Sequence, residues 1–363
     1  MGKPRILAFY LPQFYPTPEN DEWWGKGFTE WTNVGGAKPL FKGHNQPRVP
    51  TELGYYDLRL PIIREQQAQM AREAGVEGFC YWHYWFGNGR RLLSEVFQEV
   101  LESGKPDYPF CLGWANHSWY AKNWNSKEAT KDRILIEQTY PGIDDIRHHW
   151  EFLIKAFKDR RYVTVDGCPL LYIFRPDDVP QQYIDCLRKW TIQEGFPDVF
   201  LVAQLYEGSS VQDYIHRGYN AVSYQRLVVN ESRKINLFTK IWARIKGVLH
   251  NRPPYACDYA KIFQGMIDEK IDSCNSVFPF ILPQWDHSPR SGRKGVMYYN
   301  ATPNNFYQHV NQAFSVIKDK PDENKIVFLK SWNEWGEGNM MEPDLIYGRG
   351  FIEMLRKAVD EFE

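Results

Sequence analysis

The sequence has no long apolar run. Its N-terminus, MGKPRILAFYLPQF, holds one short apolar stretch, Ile6–Leu11, cut off by Pro12. That is too short for a membrane-spanning helix and lacks the small-residue cleavage site of a secretory signal. Ile6 stands where a myristoylated Met-Gly terminus carries Ser or Thr. An excess of one charge is also missing: 44 Lys and Arg face 45 Asp and Glu, a net charge of −1. Nothing in that balance draws the chain to nucleic acid or an acidic membrane, so no nucleic-acid partner is expected. The 6 cysteines have no CxxC spacing, and Cys80 and Cys111 sit inside apolar runs. They read as reduced core thiols of a cytoplasmic protein, not as a disulfide frame or zinc site. Neither GxGxxG nor GxxxxGK[ST] follows the first apolar run, so the phosphate cradle of a doubly wound nucleotide fold is absent. No metal or cofactor is expected.

What the sequence does have is a rhythm. Apolar runs recur at Ile6–Tyr10, Val76–Tyr81, Phe110–Trp114, Leu170–Phe174, Val199–Ala203, Ala221–Tyr224, Phe278–Leu282 and Ile326–Leu329. Continuous apolar strands separated by helical pattern indicate a parallel sheet covered on both faces. Over 60–75, Ile63, Gln67, Met70 and Ala74 share one side and Gly75 ends the pattern. Over 144–159, Ile146, Trp150, Leu153 and Phe157 recur at helical spacing, with His148 and His149 assigned to the surface. Eight strand–helix units predict the α/β class and a single (β/α)8 TIM barrel over residues 1–363 with elaborated loops; a doubly wound sheet is the alternative. Two segments break the rhythm. One is a Pro-, Gly- and Trp-rich loop at 12–58, and long loops in compact domains tend to be functional. The other, 226–258, is basic and amphipathic: Phe238, Ile241, Trp242, Ile245, Val248 and Leu249 form a stripe among Arg and Lys. Its 233–249 stretch could touch an anionic membrane, but packing of the stripe on the barrel is the simpler account.

Barrel active sites lie at the C-terminal ends of the strands. Those ends carry Tyr10 and Gln13, then Trp82, His83 and Tyr84, then Trp114, Asn116 and His117. Arg175, Gln204, Tyr224, Trp285 and Asp286 follow, and finally Trp332, Asn333 and Trp335. Glu30 and Trp31 in the first loop join them as candidate subsite residues or as capping and packing residues. Flat aromatic and polar side chains together suit sugar rings, although an aromatic-rich core would also account for 14 Trp and 22 Tyr. The expected partner is an oligo- or polysaccharide. His83 and His117, without a metal partner at short spacing, read as hydrogen-bonding groups. In SWNEWGEG, residues 331–338, Glu334 and Glu337 lie three apart. Glycosidic cleavage needs one carboxyl to protonate the departing oxygen and a second as base or nucleophile. A bend at Gly336 would turn both toward one bond. Two carboxyls among indoles should titrate apart. Asp286 and Arg290, in QWDHSPRSGRKG, either hold a hydroxyl or anionic substituent or form a loop ion pair.

The strings AFYLPQFYPTPENDEWWGKGFTEWTNV, KPLFKGHNQPRVP, GFCYWHYWF and SWNEWGEG…EP resemble the WbsX-type proteins, which carry a glycosyltransferase label. That family looks in turn like the barrel of glycoside hydrolase family 99, the endo-α-1,2-mannosidases and mannanases. The resemblance implies a retaining route through a 1,2-anhydro sugar. Glu334 would take the proton of the sugar 2-hydroxyl, and Glu337 would protonate the leaving group and then activate water. A glycosyltransferase of polysaccharide or O-antigen synthesis and a non-catalytic carbohydrate-binding protein remain the alternatives. This chain departs from the family pattern twice: His117 follows Asn116 where Glu is usual, and His287 follows Asp286 where Asn is common. Both exchanges alter the rim, so mannose specificity is not carried over.

Overall fold

The computed structural model describes residues 2–121, 133–206, 208–226, 253 and 255–362. The basic stretch at 233–249 lies outside them. Eight parallel strands form the central sheet: β1 (Arg5–Tyr10), β2 (Gly78–Trp85), β3 (Phe110–Trp114), β4 (Cys168–Ile173), β5 (Phe200–Leu205), β6 (Ala221–Tyr224), β7 (Phe280–Ile281) and β8 (Ile326–Leu329). β1 pairs with β2 from Leu7↔Gly78 onward and with β8 from Arg5↔Ile326. A parallel bridge, Val222 to Val277, closes the seam between β6 and β7, with Val222 N–H donating to Ser276 O at 2.8 Å and Phe278 N–H to Val222 O at 2.8 Å. The expected (β/α)8 barrel is therefore observed. All eight apolar runs lie in or beside strands, and the second runs on to Trp85, beyond the expected Tyr81.

The interior is aromatic where other barrels are aliphatic. Phe9 stacks on Trp82 with centroids 4.5 Å apart and meets Tyr172 edge-on at 4.8 Å and Phe328 at 5.4 Å. These rings from β1, β2, β4 and β8 fill the barrel and leave its C-terminal mouth open. The loop after β1 folds into two short helices, α1 (Pro18–Trp24) and α2 (Glu30–Gly36). Thr17 and Thr29 cap them, accepting from Asn20 N–H and Trp31 N–H at 3.2 Å each.

Helix α3 (Pro61–Ala74) starts with Pro at its first position and ends at Gly75 in the left-handed region (φ 85°). Its buried face includes Arg64 where the pattern favoured Ile63: the Arg64 guanidinium donates to Leu58 O at 2.5 Å and pairs with Glu99 at 2.9 Å. Helix α4 (Ile143–Phe157) buries Ile146, Trp150, Leu153 and Phe157 as expected. His149 contradicts its surface assignment. It lies on that same helical face, is fully buried, and meets His83 Nε2 at 2.9 Å and the Tyr183 hydroxyl of α5 (Gln181–Gln193) at 2.5 Å. All six cysteine thiols are free. No described helix is long and apolar enough to cross a membrane.

Candidate active site

Beyond β8 the chain folds back on itself. Asn333–Glu334 pairs antiparallel with Asn339–Met340 around a tight turn, Trp335–Glu337. The reversal occurs at Gly338 (φ 55°, ψ 30°), a conformation that favours glycine, and not at Gly336 as expected. Gly336 is needed for room: a Cβ there would overlap Glu30 Oε2 and crowd Arg290 Nε. Asn333 ties the hairpin to β1, its amide donating to Leu11 O at 3.0 Å and accepting from Leu11 N–H at 2.8 Å.

The hairpin turns Glu334 and Glu337 into a cavity of about 550 Å³ at the barrel mouth. Of the other expected residues, Gln13, Glu30, Trp82, Tyr84, His117 and Trp285 line it. The rest do not, for identifiable reasons. Side chains alternate along a strand, so Trp82 and Tyr84 face the cavity while His83 faces α4, stacked on Phe152 at 4.8 Å. Burial pushes the His83 imidazole down to about 3, which keeps it neutral. Tyr10 donates to Gln67 at 2.6 Å, Trp114 Nε1 to Trp85 O at 3.0 Å, and Trp31 Nε1 to Tyr56 O at 2.7 Å, all away from the cavity. Asn116 and Asn333 satisfy backbone groups; the Asn116 amide donates to Arg175 O and accepts from Arg175 N–H, both at 2.8 Å. Gln204 donates to the Tyr206 hydroxyl at 2.6 Å, and Tyr224 donates to Ser209 O. Trp332 is fully buried against Phe79, and Trp335 Nε1 donates to Glu342 at 2.6 Å. Arg175 is exposed, over the rings of Phe174 and Tyr206.

Asp286 and Arg290 do not pair with each other. Asp286 faces a smaller neighbouring cavity, accepting from Gln46 at 2.6 Å and meeting His44 Nε2 at 2.8 Å. Arg290, from the short helix α6 (Ser288–Ser291), gathers the carboxylates instead. Its guanidinium donates to Glu334 Oε1 at 2.6 Å, to Glu337 Oε1 at 2.7 Å and to Glu30 Oε2 at 3.1 Å. One planar fork holding both glutamates keeps the two oxygens within about 8 Å, inside the span of glycosidase carboxyl pairs.

The two glutamates titrate apart, as two crowded carboxyls must. Burial pushes Glu334 up to about 8; the charges of Glu337 and Glu30 add to that, and Arg290 opposes it. Burial works on Glu337 in the same direction, but Arg290, His287 at 3.5 Å and Lys330 together hold it well below the usual carboxylate range. The surroundings therefore favour the neutral form of Glu334 and the ionised form of Glu337.

Sequence reasoning missed several residues that line the cavity, among them Trp119, Lys330 and Asn339. Lys330 had a signal, since it directly follows the last apolar strand. Asn339 faces Glu334 across the hairpin and has no hydrogen-bond partner on either amide atom among the described residues. Among those residues, no group of three or more His, Cys, Asp or Glu could hold a metal ion.

Two strains of Xanthomonas campestris pv. campestris each carry an uncharacterized protein WxcX, 32% identical to this chain over 358 residues. The match covers 98% of this chain and 49% of the relative, so the chain spans about half the length of the curated relatives it matches. Among solved structures the fold is similar to a glycoside hydrolase-like protein, with a TM-score of 0.60 at 14% identity over 100% of this chain and 95% of the other. It is also similar to the GH99 endo-alpha-mannosidase from Bacteroides thetaiotaomicron, with a TM-score of 0.59 at 13% identity over 99% and 97% of the two chains. At such identities the likeness concerns the fold. Residues 6–355 match the model of the glycosyltransferase WbsX family, and the chain belongs to that family.

Proposed function

We propose that the chain is a retaining glycoside hydrolase acting on a bacterial polysaccharide or a mannan-like glycan, with Glu334 and Glu337 as its catalytic pair. The observation that carries this reading is two carboxyls held on one guanidinium at the edge of an aromatic cavity. Trp82, Trp119 and Trp285 offer flat faces to sugar rings, while Gln13 and Asn339 offer donors and acceptors to hydroxyls. In the anhydro route one glutamate takes the 2-hydroxyl proton as O2 bonds to the anomeric carbon, and the other protonates the departing oxygen. Water then opens the three-membered ring, and two inversions give net retention.

The upward shift of Glu334 and the downward shift of Glu337 favour Glu334 as the donor, whereas the resemblance to family 99 gives that role to Glu337. Leaving-group dependence separates the two assignments, because a good leaving group needs no protonation. The test measures release of reducing ends from bacterial surface polysaccharides and mannans, with Glu334→Gln and Glu337→Gln beside the parent. Aryl glycosides of the cleaved sugar follow. Each variant should lose at least about 100-fold in rate, and the one lacking the donor should recover on activated aryl substrates. Cleavage unaffected by either substitution refutes the pair. Glutamate-dependent transfer from a sugar nucleotide, with no cleavage, replaces the hydrolase by the transferase that the family's description names. Glycan binding without turnover of either kind leaves a carbohydrate-binding protein.

A further inference from the structure

The charges around the cavity are unevenly matched. Among the described residues, the three acidic side chains that line it, Glu30, Glu334 and Glu337, are all engaged by Arg290. Lys330 is the other cation among the described residues of the wall, and it is not matched in this way. It is the first residue beyond β8, fixed by its N–H donating to Ile281 O at 2.8 Å. Its ammonium donates to the neutral Gln225 Oε1 at 2.7 Å and lies 5.9 Å from the centre of the Trp285 ring. Among the described residues no carboxylate comes within ion-pair distance of it. An ammonium has three donors, and a half-buried one without a counter-ion is costly.

We propose, resting on the carbohydrate reading above, that the sugar entering this cavity bears an anionic group of the uronate class and that Lys330 is its counter-ion. A carboxylate beside the Trp285 face would take the two remaining N–H donors and supply the missing charge. A neutral hydroxymethyl at the same carbon would do neither. Arg175, exposed at the rim over Phe174 and Tyr206, adds a second positive charge on the approach. Lys330 also helps to hold the Glu337 carboxyl low from a distance. That role makes no distinction between charged and neutral glycans, so a comparison of the two separates them.

Alginate and hyaluronan oligosaccharides, and the same oligosaccharides after carboxyl reduction to hydroxymethyl, are titrated against the parent, Lys330→Met and Lys330→Arg by tryptophan fluorescence. Mannose 6-phosphate against mannose forms a second arm. The parent should bind a uronate form about tenfold more tightly than its reduced counterpart. The preference should vanish in Lys330→Met, persist in part in Lys330→Arg, and weaken with salt. Equal binding of charged and reduced forms by the parent overturns the inference, as does a preference that survives in Lys330→Met. A preference confined to the phosphate ester overturns the uronate assignment. Cleavage tested with the glutamate variants reads the hydrolase proposal separately: turnover of neutral glycans with no charged preference sinks this inference alone, and binding of no glycan sinks both.

Discussion

Replacing Arg290 with Met removes one cation from three carboxyl groups, and the geometry sets how much that costs. Its contacts at 2.6, 2.7 and 3.1 Å are charge-assisted, and each such bond contributes about 1.5–3 kcal/mol in isolation. They share one donor group and so do not add, and the burial of Arg290 itself offsets part of the sum. Breaking a buried ion pair from one side costs about 3–5 kcal/mol, and the side chains of Arg290, Glu334 and Glu337 are only 17%, 11% and 20% exposed. The expected loss at pH 7.5 is therefore about 3–5 kcal/mol. Its pH dependence follows from Glu337, whose folded carboxyl Arg290 holds low. A depressed carboxyl stabilises the fold above its unfolded value, near 4.3, and the contribution drains away as pH falls through the folded value. The difference between parent and variant should thus narrow below about pH 4, where protons replace the guanidinium. Urea unfolding at pH 7.5 and 3.5 measures this; a guanidinium salt would supply the missing cation and is unsuitable. A loss below 1 kcal/mol at pH 7.5, or an equal loss at both values, would refute the account.

Two further outcomes follow from the same cluster. If Glu334 is the proton donor, the cleavage rate should fall as pH rises through about 8, because a raised carboxyl surrenders its proton there; a rate level to pH 10 would remove it from that role. Gly336→Ala should abolish most activity while leaving the barrel folded by circular dichroism, since the atoms nearest the added methyl belong to the Glu30 and Arg290 side chains; full activity would show that the clamp is dispensable.

The barrel was legible in the sequence because its strands are buried on both faces and read as unbroken apolar runs. The same property hid which residues face the cavity. In GFCYWHYW, residues 78–85, nearly every position is aromatic, so no contrast between polar and apolar marks the alternation that sends Trp82 and Tyr84 inward and His83 and Trp85 outward. His149 was misread for a related reason: one histidine of an adjacent pair falls on the apolar stripe of α4 and the other does not. Asn116 and Asn333 looked like ligands because they end strands, yet a chain leaving a barrel strand must satisfy its own backbone first. Lys330 was overlooked because a lysine after a strand ordinarily reads as the start of solvent.

Those misread residues lock the hairpin that carries the two glutamates. A site on a loop is exact only if other groups lock the loop. Here Asn333 pins one arm of the hairpin to Leu11, Asp286 N–H donates to Glu337 O at 2.7 Å, and Trp335 is seated against Trp31 with centroids 5.5 Å apart. Beneath them lies Glu342, pushed up to about 7 by burial, which accepts from Trp335 Nε1, Gln67 and Tyr56 at 2.6, 2.6 and 2.8 Å. Tyr10 reaches the same network through Gln67. The strand-end tryptophans, asparagine and tyrosine that resemble a sugar-binding rim thus form the footing of the hairpin, and only a smaller set of residues faces the cavity.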